Sequence, residues 1–438
     1  MKKTRIRVVF TGLKKNIPAW PYINYDVEKR SREIMNMLQE ALPDVDFSGV
    51  VYFSREEAEK GYEKDEKGNY DGWLVYIATI WTGIPEFYAE HVKPVVISDE
   101  LFSGSGEFIR TRSLIERKKL PVATVSSSDF KDTVNAVKLL DVMAKLQESK
   151  VLIISNDMNA WGATPDKVEA TRKIFGTEVI RKSGKDLQQV YETISDKQAE
   201  PIAAQWMKGA KKIIEPTKEE IHRSAKMYLA LKKIIEETGA DAVSTDCLGL
   251  FNAGDVKAYP CLAFFQLNND GKTGVCEGDL RATLSQLMFR YLSNKPAYIS
   301  DPVFDESKGQ IIYAHCVSTT KPFGTTGACC SYVIRSHVED NMGASVQAIL
   351  PIGETVTTLA ISPVDKAMGL HTAKTIANET REEGCRTKLV AEVDVEKVLA
   401  NYHEEYFGWH QVSCYGNYRK SIKHLATLYG LKLIEQDK

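Results

Sequence analysis

No stretch of the 438-residue chain approaches the roughly 18 consecutive apolar residues that a membrane-spanning helix needs. An excess of either charge is also missing. Lys and Arg number 57 against 59 Asp and Glu, a formal net charge of -2, so nothing marks a nucleic-acid-binding or membrane-surface protein. The eight cysteines never form a CxxC pair. Scattered and partly embedded in apolar runs, they read as buried free thiols in a reducing, cytoplasmic compartment rather than as a disulfide framework. The vicinal pair Cys329-Cys330 invites a metal or redox reading, but no matching Cys or His spacing accompanies it. No GxGxxG opens a helix after the first strand, so no nicotinamide cofactor is implied. The basic start, Met1 to Phe10, mimics a signal peptide, yet its apolar run is too short and no small-residue cleavage site follows; it reads as a first strand.

The composition is that of a globular protein, 43% hydrophobic and 26% charged. Strand-like and helix-like segments alternate over residues 1–148. Ile6 to Phe10, Trp73 to Ile77, Pro94 to Ile97 and Pro121 to Val125 are buried-strand runs, and helices are expected from Asp26 to about Leu42 and from about Phe130 to Leu146. The pattern restarts over residues 149–293. Val151 to Ile154, Ala242 to Thr245 and Leu262 to Phe265 read as strands. Thr164-Pro165 starts one helix, the capping-box pair Thr217 and Glu220 starts another that stops at Gly239, and a third follows Gly278. Over residues 294–438 short β-rich runs separated by Gly, Pro, Asn and Asp take over, suggesting an antiparallel barrel or sandwich before a helical tail. The expected fold is α/β: two tandem Rossmann-like, doubly wound domains, then a β-rich, barrel-like C-terminal domain.

Four residues carry candidate chemistry. Glu277 lies in Val275-Cys276-Glu277-Gly278-Asp279 at a strand-to-helix junction. Asp301 ends a strand-like run. His315 lies inside Ile311 to Val317, and His410 in Gly408-Trp409-His410. Carboxylates at strand ends suit a ligand crevice. Two acids with an imidazole form a mixed O/N donor set suited to Mn²⁺, Mg²⁺ or Co²⁺, and the same groups suit proton transfer. Each has a plainer reading. Glu277-Gly278-Asp279 also reads as only the acidic first turn of a helix, Asp301-Pro302 as a turn, His315 as a packed histidine, and His410 as a stacking partner of Trp409.

In combination and order these residues resemble the L-fucose/L-arabinose isomerase family: Cys276-Glu277-Gly278-Asp279-Leu280-Arg281-Ala282-Thr283, Asp301 24 positions after Glu277, Tyr313-Ala314-His315-Cys316, and a late Gly408-Trp409-His410. The resemblance implies a metal-dependent aldose–ketose isomerase acting on a small-molecule sugar through a cis-enediol. Glu277 and Asp301 are the implied catalytic residues and metal ligands, and His410 the implied third ligand. His315 is either a fourth ligand or a group orienting a carboxylate. Asp at position 301 leans to the fucose side of the family, whereas His315 matches the extra histidine of arabinose isomerases. The resemblance further implies a homo-oligomer, trimer or hexamer, in which a neighbouring subunit's tryptophan closes the sugar pocket. Trp81 is the candidate, or else a loop anchor of its own domain. Arg281, Asp246 and Trp409 are the remaining expected substrate contacts; Arg281 is the basic group that a sugar charged at C6 would meet, or a helix-surface cation. The competing readings are a non-catalytic sugar-binding protein and a metal-dependent epimerase or lyase on a related sugar.

Overall fold

The computed structural model describes residues 2–157 and 162–438, and these divide into two compact units. The first holds the chain up to Lys145 together with Lys420–Lys432; the second holds Leu146–Arg419 with Leu433–Lys438.

The first unit is built on five parallel strands: β1 (Arg5–Thr11), β2 (Asp46–Tyr52), β3 (Gly72–Ile77), β4 (Val95–Asp99) and β5 (Val122–Val125), in the order β2-β1-β3-β4-β5. Every residue of β3 is buried, as an uninterrupted apolar run covered on both faces requires. The expected helix after Asp26 runs Val27–Ala41, with the Asp26 carboxylate accepting from the Lys29 amide. The winding direction reverses at β1, which lies between β2 and β3. In parallel sheets such a switch point opens a crevice at the carboxyl ends of the strands.

In the second unit a four-stranded parallel sheet, β7-β6-β8-β9, is formed by β6 (Lys150–Ile154), β7 (Glu178–Lys182), β8 (Ala242–Thr245) and β9 (Thr273–Val275). The Thr217–Glu220 capping box opens the helix Lys218–Thr238, and Gly239 closes it in the left-handed conformation, as read from the sequence. Leu262 to Phe265 is a correction. It forms not a strand but part of the helix Cys261–Asn269, in which most side chains are buried. A helix buried on all sides has no polar face to reveal its period, so its apolar run looks like a core strand.

The same unit carries nine further strands: β10 (Tyr298–Asp305), β11 (Gln310–His315), β12 (Tyr332–Arg335), β13 (Ser345–Ala348), β14 (Thr355–Ser362), β15 (Ala367–Asn378), β16 (Thr387–Glu392), β17 (Gln411–Tyr415) and β18 (Lys432–Glu435). β12 and β13 pair alone. The rest run β14-β17-β10-β11-β16-β15-β18, and β14 also pairs with β15, so the ladder returns on itself through six strands. Ile311, Tyr313, Leu359, Leu370 and Leu389 on these strands are fully buried. All eight cysteines are free; five are buried, Cys330 and Cys385 are half-buried, and Cys329 is exposed. Among the described residues no helix is long and apolar enough to cross a membrane.

Candidate metal centre

β9 ends at Val275, and the chain must turn sharply to enter the helix Leu280–Ser293. Two consecutive left-handed residues make the turn, Glu277 at φ 65° and Gly278 at φ 64°. Glycine adopts this conformation freely, but a glutamate there is strained, and such strain persists where surrounding structure imposes it. Asp279 caps the helix: its Oδ1 accepts from the amides of Arg281 at 2.8 Å and Ala282 at 3.1 Å.

Sheet register supplies the other groups. β10 pairs with β17 antiparallel, Tyr298 against Ser413 and Ser300 against Gln411. One further step along that ladder sets Asp301 across from His410. His315 ends the neighbouring strand β11. The three segments converge. Glu277 Oε1 lies 3.4 Å from His315 Nε2, Glu277 Oε2 lies 3.3 Å from His410 Nε2, and Asp301 Oδ1 lies 3.2 Å from the same His410 nitrogen. Glu277, His315 and His410 bring ligand-capable atoms within 4.8 Å of one another, a group able to hold a metal ion.

The two imidazoles are oriented in opposite senses. His410 Nδ1 faces the buried Asp279 Oδ2 at 3.0 Å, so it donates there and leaves the Nε2 lone pair toward the cluster. His315 Nδ1 accepts from the Val317 amide at 3.2 Å, which in a neutral ring puts the proton on Nε2, facing Glu277. Asp301 Oδ1 and His315 Nε2 are buried and make no hydrogen bond although polar atoms lie close by.

Three carboxylates in so small a volume call for positive charge. Burial pushes the Glu277 carboxyl up, but His315 and His410 outweigh it and hold the group well below the usual carboxylate range. Burial likewise opposes the charged form of His410, yet Asp279, Asp301 and Glu277 together raise its basicity well above that of a free imidazole. The histidine side chains are 2% exposed and that of Glu277 27%, so Glu277 forms the open side of the cluster.

The remaining expected residues fall around this group or apart from it. Arg281 turns toward the protein: its Nη1 donates to the Tyr406 carbonyl at 3.1 Å, and a side chain at Gly408 would collide with its guanidinium. It thereby ties the segment leading into His410 to the helix that follows Glu277. Asp246 caps the helix Cys247–Asn252 and packs its backbone against Gly278. Trp409 is 59% exposed and lies nearly parallel to the His410 ring at 6.4 Å. Trp81 belongs to the first unit, on the loop after β3, exposed and with φ 74°. Asp279 was not singled out as a functional side chain by the sequence; its signal was a second acid two residues after Glu277, which also reads as an ordinary helix start.

Comparison with known proteins supports the resemblance of this chain to the fucose/arabinose isomerase-like superfamily, at low sequence identity. Residues 150–294 match the model of the L-arabinose isomerase central domain. Among individual proteins, the chain is 22% identical over 307 residues to the sulfoquinovose isomerases of Priestia aryabhattai and Priestia megaterium. That match spans 68% of this chain and 66% of each relative, just under two thirds of their length. The sulfoquinovose isomerase of Alkalicoccus urumqiensis is 22% identical over 221 residues, covering 49% of this chain and 48% of that protein.

Proposed function

We propose that the protein is a cytoplasmic, divalent-metal-dependent aldose–ketose isomerase that works through a cis-enediol. The observation that carries the reading is the convergence of Glu277, Asp301 and His410 from three separate segments, with Asp279 behind His410. In this reading the two parallel sheets are the Rossmann-like units and the returning ladder is the barrel-like domain.

Glu277, Asp301 and His410 hold the cation, Mn²⁺ in first place, with Mg²⁺ or Co²⁺ as substitutes; the oxygen-rich donor set and the buried Asp301 Oδ1 fit such an ion. When bound, the ion polarises the substrate carbonyl and acidifies the neighbouring C–H. Glu277, on the open side, takes a proton from one of the two adjacent sugar carbons, and the proton returns to the other. Asp301 is its partner in proton transfer across the site. His315 is either a further ligand or the group that orients the Glu277 carboxylate, and Asp279 keeps the His410 proton on Nδ1.

The relatives' name puts sulfoquinovose first among the sugars to try. The working form is a homo-oligomer, a trimer or hexamer, in which Trp81 of a neighbouring subunit covers the sugar. In support, the buried Glu107 carboxylate accepts from the Thr82 amide at 2.8 Å, the Thr82 hydroxyl at 3.0 Å and the Gly83 amide at 2.6 Å, presenting the exposed Trp81 on a rigid loop. A monomer by light scattering under turnover conditions would remove that element.

The deciding experiment is a screen of aldoses, sulfoquinovose included, with Mn²⁺, comparing the native protein with Glu277→Gln. The variant keeps the shape and loses the basic oxygen, so turnover falls by several orders of magnitude. Near-native turnover, or the absence of any ketose product from the native protein, contradicts the proposal.

A further inference from the structure

Asp301 has two oxygens with different fates. Oδ1 is buried without a hydrogen bond and faces His410 Nε2. Oδ2 accepts from the thiol of Cys385 at 3.7 Å, within the range of a sulfur hydrogen bond. We propose that Cys385 is a positioning residue: its S–H holds one oxygen of Asp301 so that the other is presented to the cation shared with Glu277 and His410. The inference rests on the reading of Asp301 as a ligand.

The surrounding backbone is arranged to bring the thiol there. Register across the sheet sets Asp301 against Ala314 and Ala314 against Lys388, so these three side chains form one row on one face. The middle member is only a methyl group, which leaves room for the segment before β16 to come down toward Asp301. That segment is held on both sides of Cys385. Lys388 Nζ donates to the Arg381 carbonyl at 2.8 Å, and the Lys388 Cε lies 3.9 Å from the Cβ position of Gly384, itself at φ 73°. The buried Arg386 donates through Nε to the Ser336 carbonyl at 3.0 Å and through Nη2 to the Ser336 hydroxyl at 3.1 Å. Cys385 therefore reaches Asp301 from a preset loop.

The test measures Mn²⁺ binding to the full chain by calorimetry and the alkylation of individual cysteines by mass spectrometry. Cys385→Ala removes the donor and weakens Mn²⁺ binding about 10-fold, the low end for groups that orient a ligand, whereas Cys385→Ser keeps an O–H donor and stays within about threefold of native. In the native protein, saturating Mn²⁺ locks Asp301 against the thiol and slows iodoacetamide modification of Cys385 while leaving the exposed Cys329 unchanged. An alanine variant that folds and binds Mn²⁺ as tightly as native overturns the proposal. Should that variant fail to fold, equal alkylation of Cys385 with and without Mn²⁺ overturns it instead. A native protein that binds no Mn²⁺ overturns both this inference and the ligand reading beneath it, whereas native binding without the Cys385 effects overturns the inference alone.

Discussion

The Asp279 side chain does two jobs with its two oxygens, capping a helix with one and orienting His410 with the other. The jobs separate chemically. Asparagine caps a helix as well as aspartate does, but it cannot draw the His410 Nδ1 proton with a full negative charge. Asp279→Asn is therefore expected to keep the folded state near native stability while lowering metal affinity and turnover by about 10- to 100-fold, the usual cost of losing a ligand's outer partner. Thermal melting alongside Mn²⁺ titration checks it; a fall in melting temperature with unchanged affinity would make Asp279 a helix cap and nothing more. Glu277, Asp301 and His410 could be picked out from the sequence because residue type and order survive as text. The sequence left His315 open between ligand and orienting group. The Val317 amide that donates to His315 Nδ1 bears on that choice, and its direction exists only after β11 has ended and the chain has turned.

At the level of elements, the sequence reading passed over β2 and β7 for one cause. β2 carries no fully buried residue, and β7 is likewise only half-covered. Edge strands of this kind lack the apolar run that exposes a central strand such as β3. The opposite error at Leu262 to Phe265 came from too much burial. The interior of the returning ladder gives a further consequence. His371 in β15 is fully buried between the Tyr313 hydroxyl at 2.7 Å from Nε2 and Gln436 Oε1 at 2.8 Å from Nδ1, with Asp437 and Arg419 the nearest charges. Burial outweighs these contacts and pulls its pKa down to about 4. In the unfolded chain the ring titrates near its ordinary 6.5. Between those two values the unfolded chain takes up a proton that the fold refuses. Stability contributed by the neutral ring is thus whole above the upper value and declines as pH falls toward the lower one. At about 1.4 kcal/mol per tenfold change, the loss by pH 4 reaches about 3 kcal/mol. Urea midpoints at pH 7 and pH 4 measure it, and His371→Asn should flatten that acid limb; an unchanged limb in the variant assigns the loss elsewhere.

For the molecule as a whole, the site ties together parts of the second unit far apart in sequence: the β9-to-helix turn, β10 and the approach to β17. None of them holds the cluster alone, so the native arrangement is what a cation recognises, and an unfolded chain offers only scattered single ligands. Binding then favours the folded unit by mass action. Free Mn²⁺ at 100 times its dissociation constant should add about 2.7 kcal/mol to the stability of the second unit, and chelation should remove it. A chain with two compact units need not melt in one step, so a single midpoint would blur the effect. Hydrogen exchange resolves it by segment. Amides around residues 276–282, 299–302 and 408–413 should gain protection together on Mn²⁺ addition, and Glu277→Gln should abolish the gain in all three at once. Protection confined to one segment would mean that the ion sits on a local patch, and that the three stretches of chain do not act as a single centre.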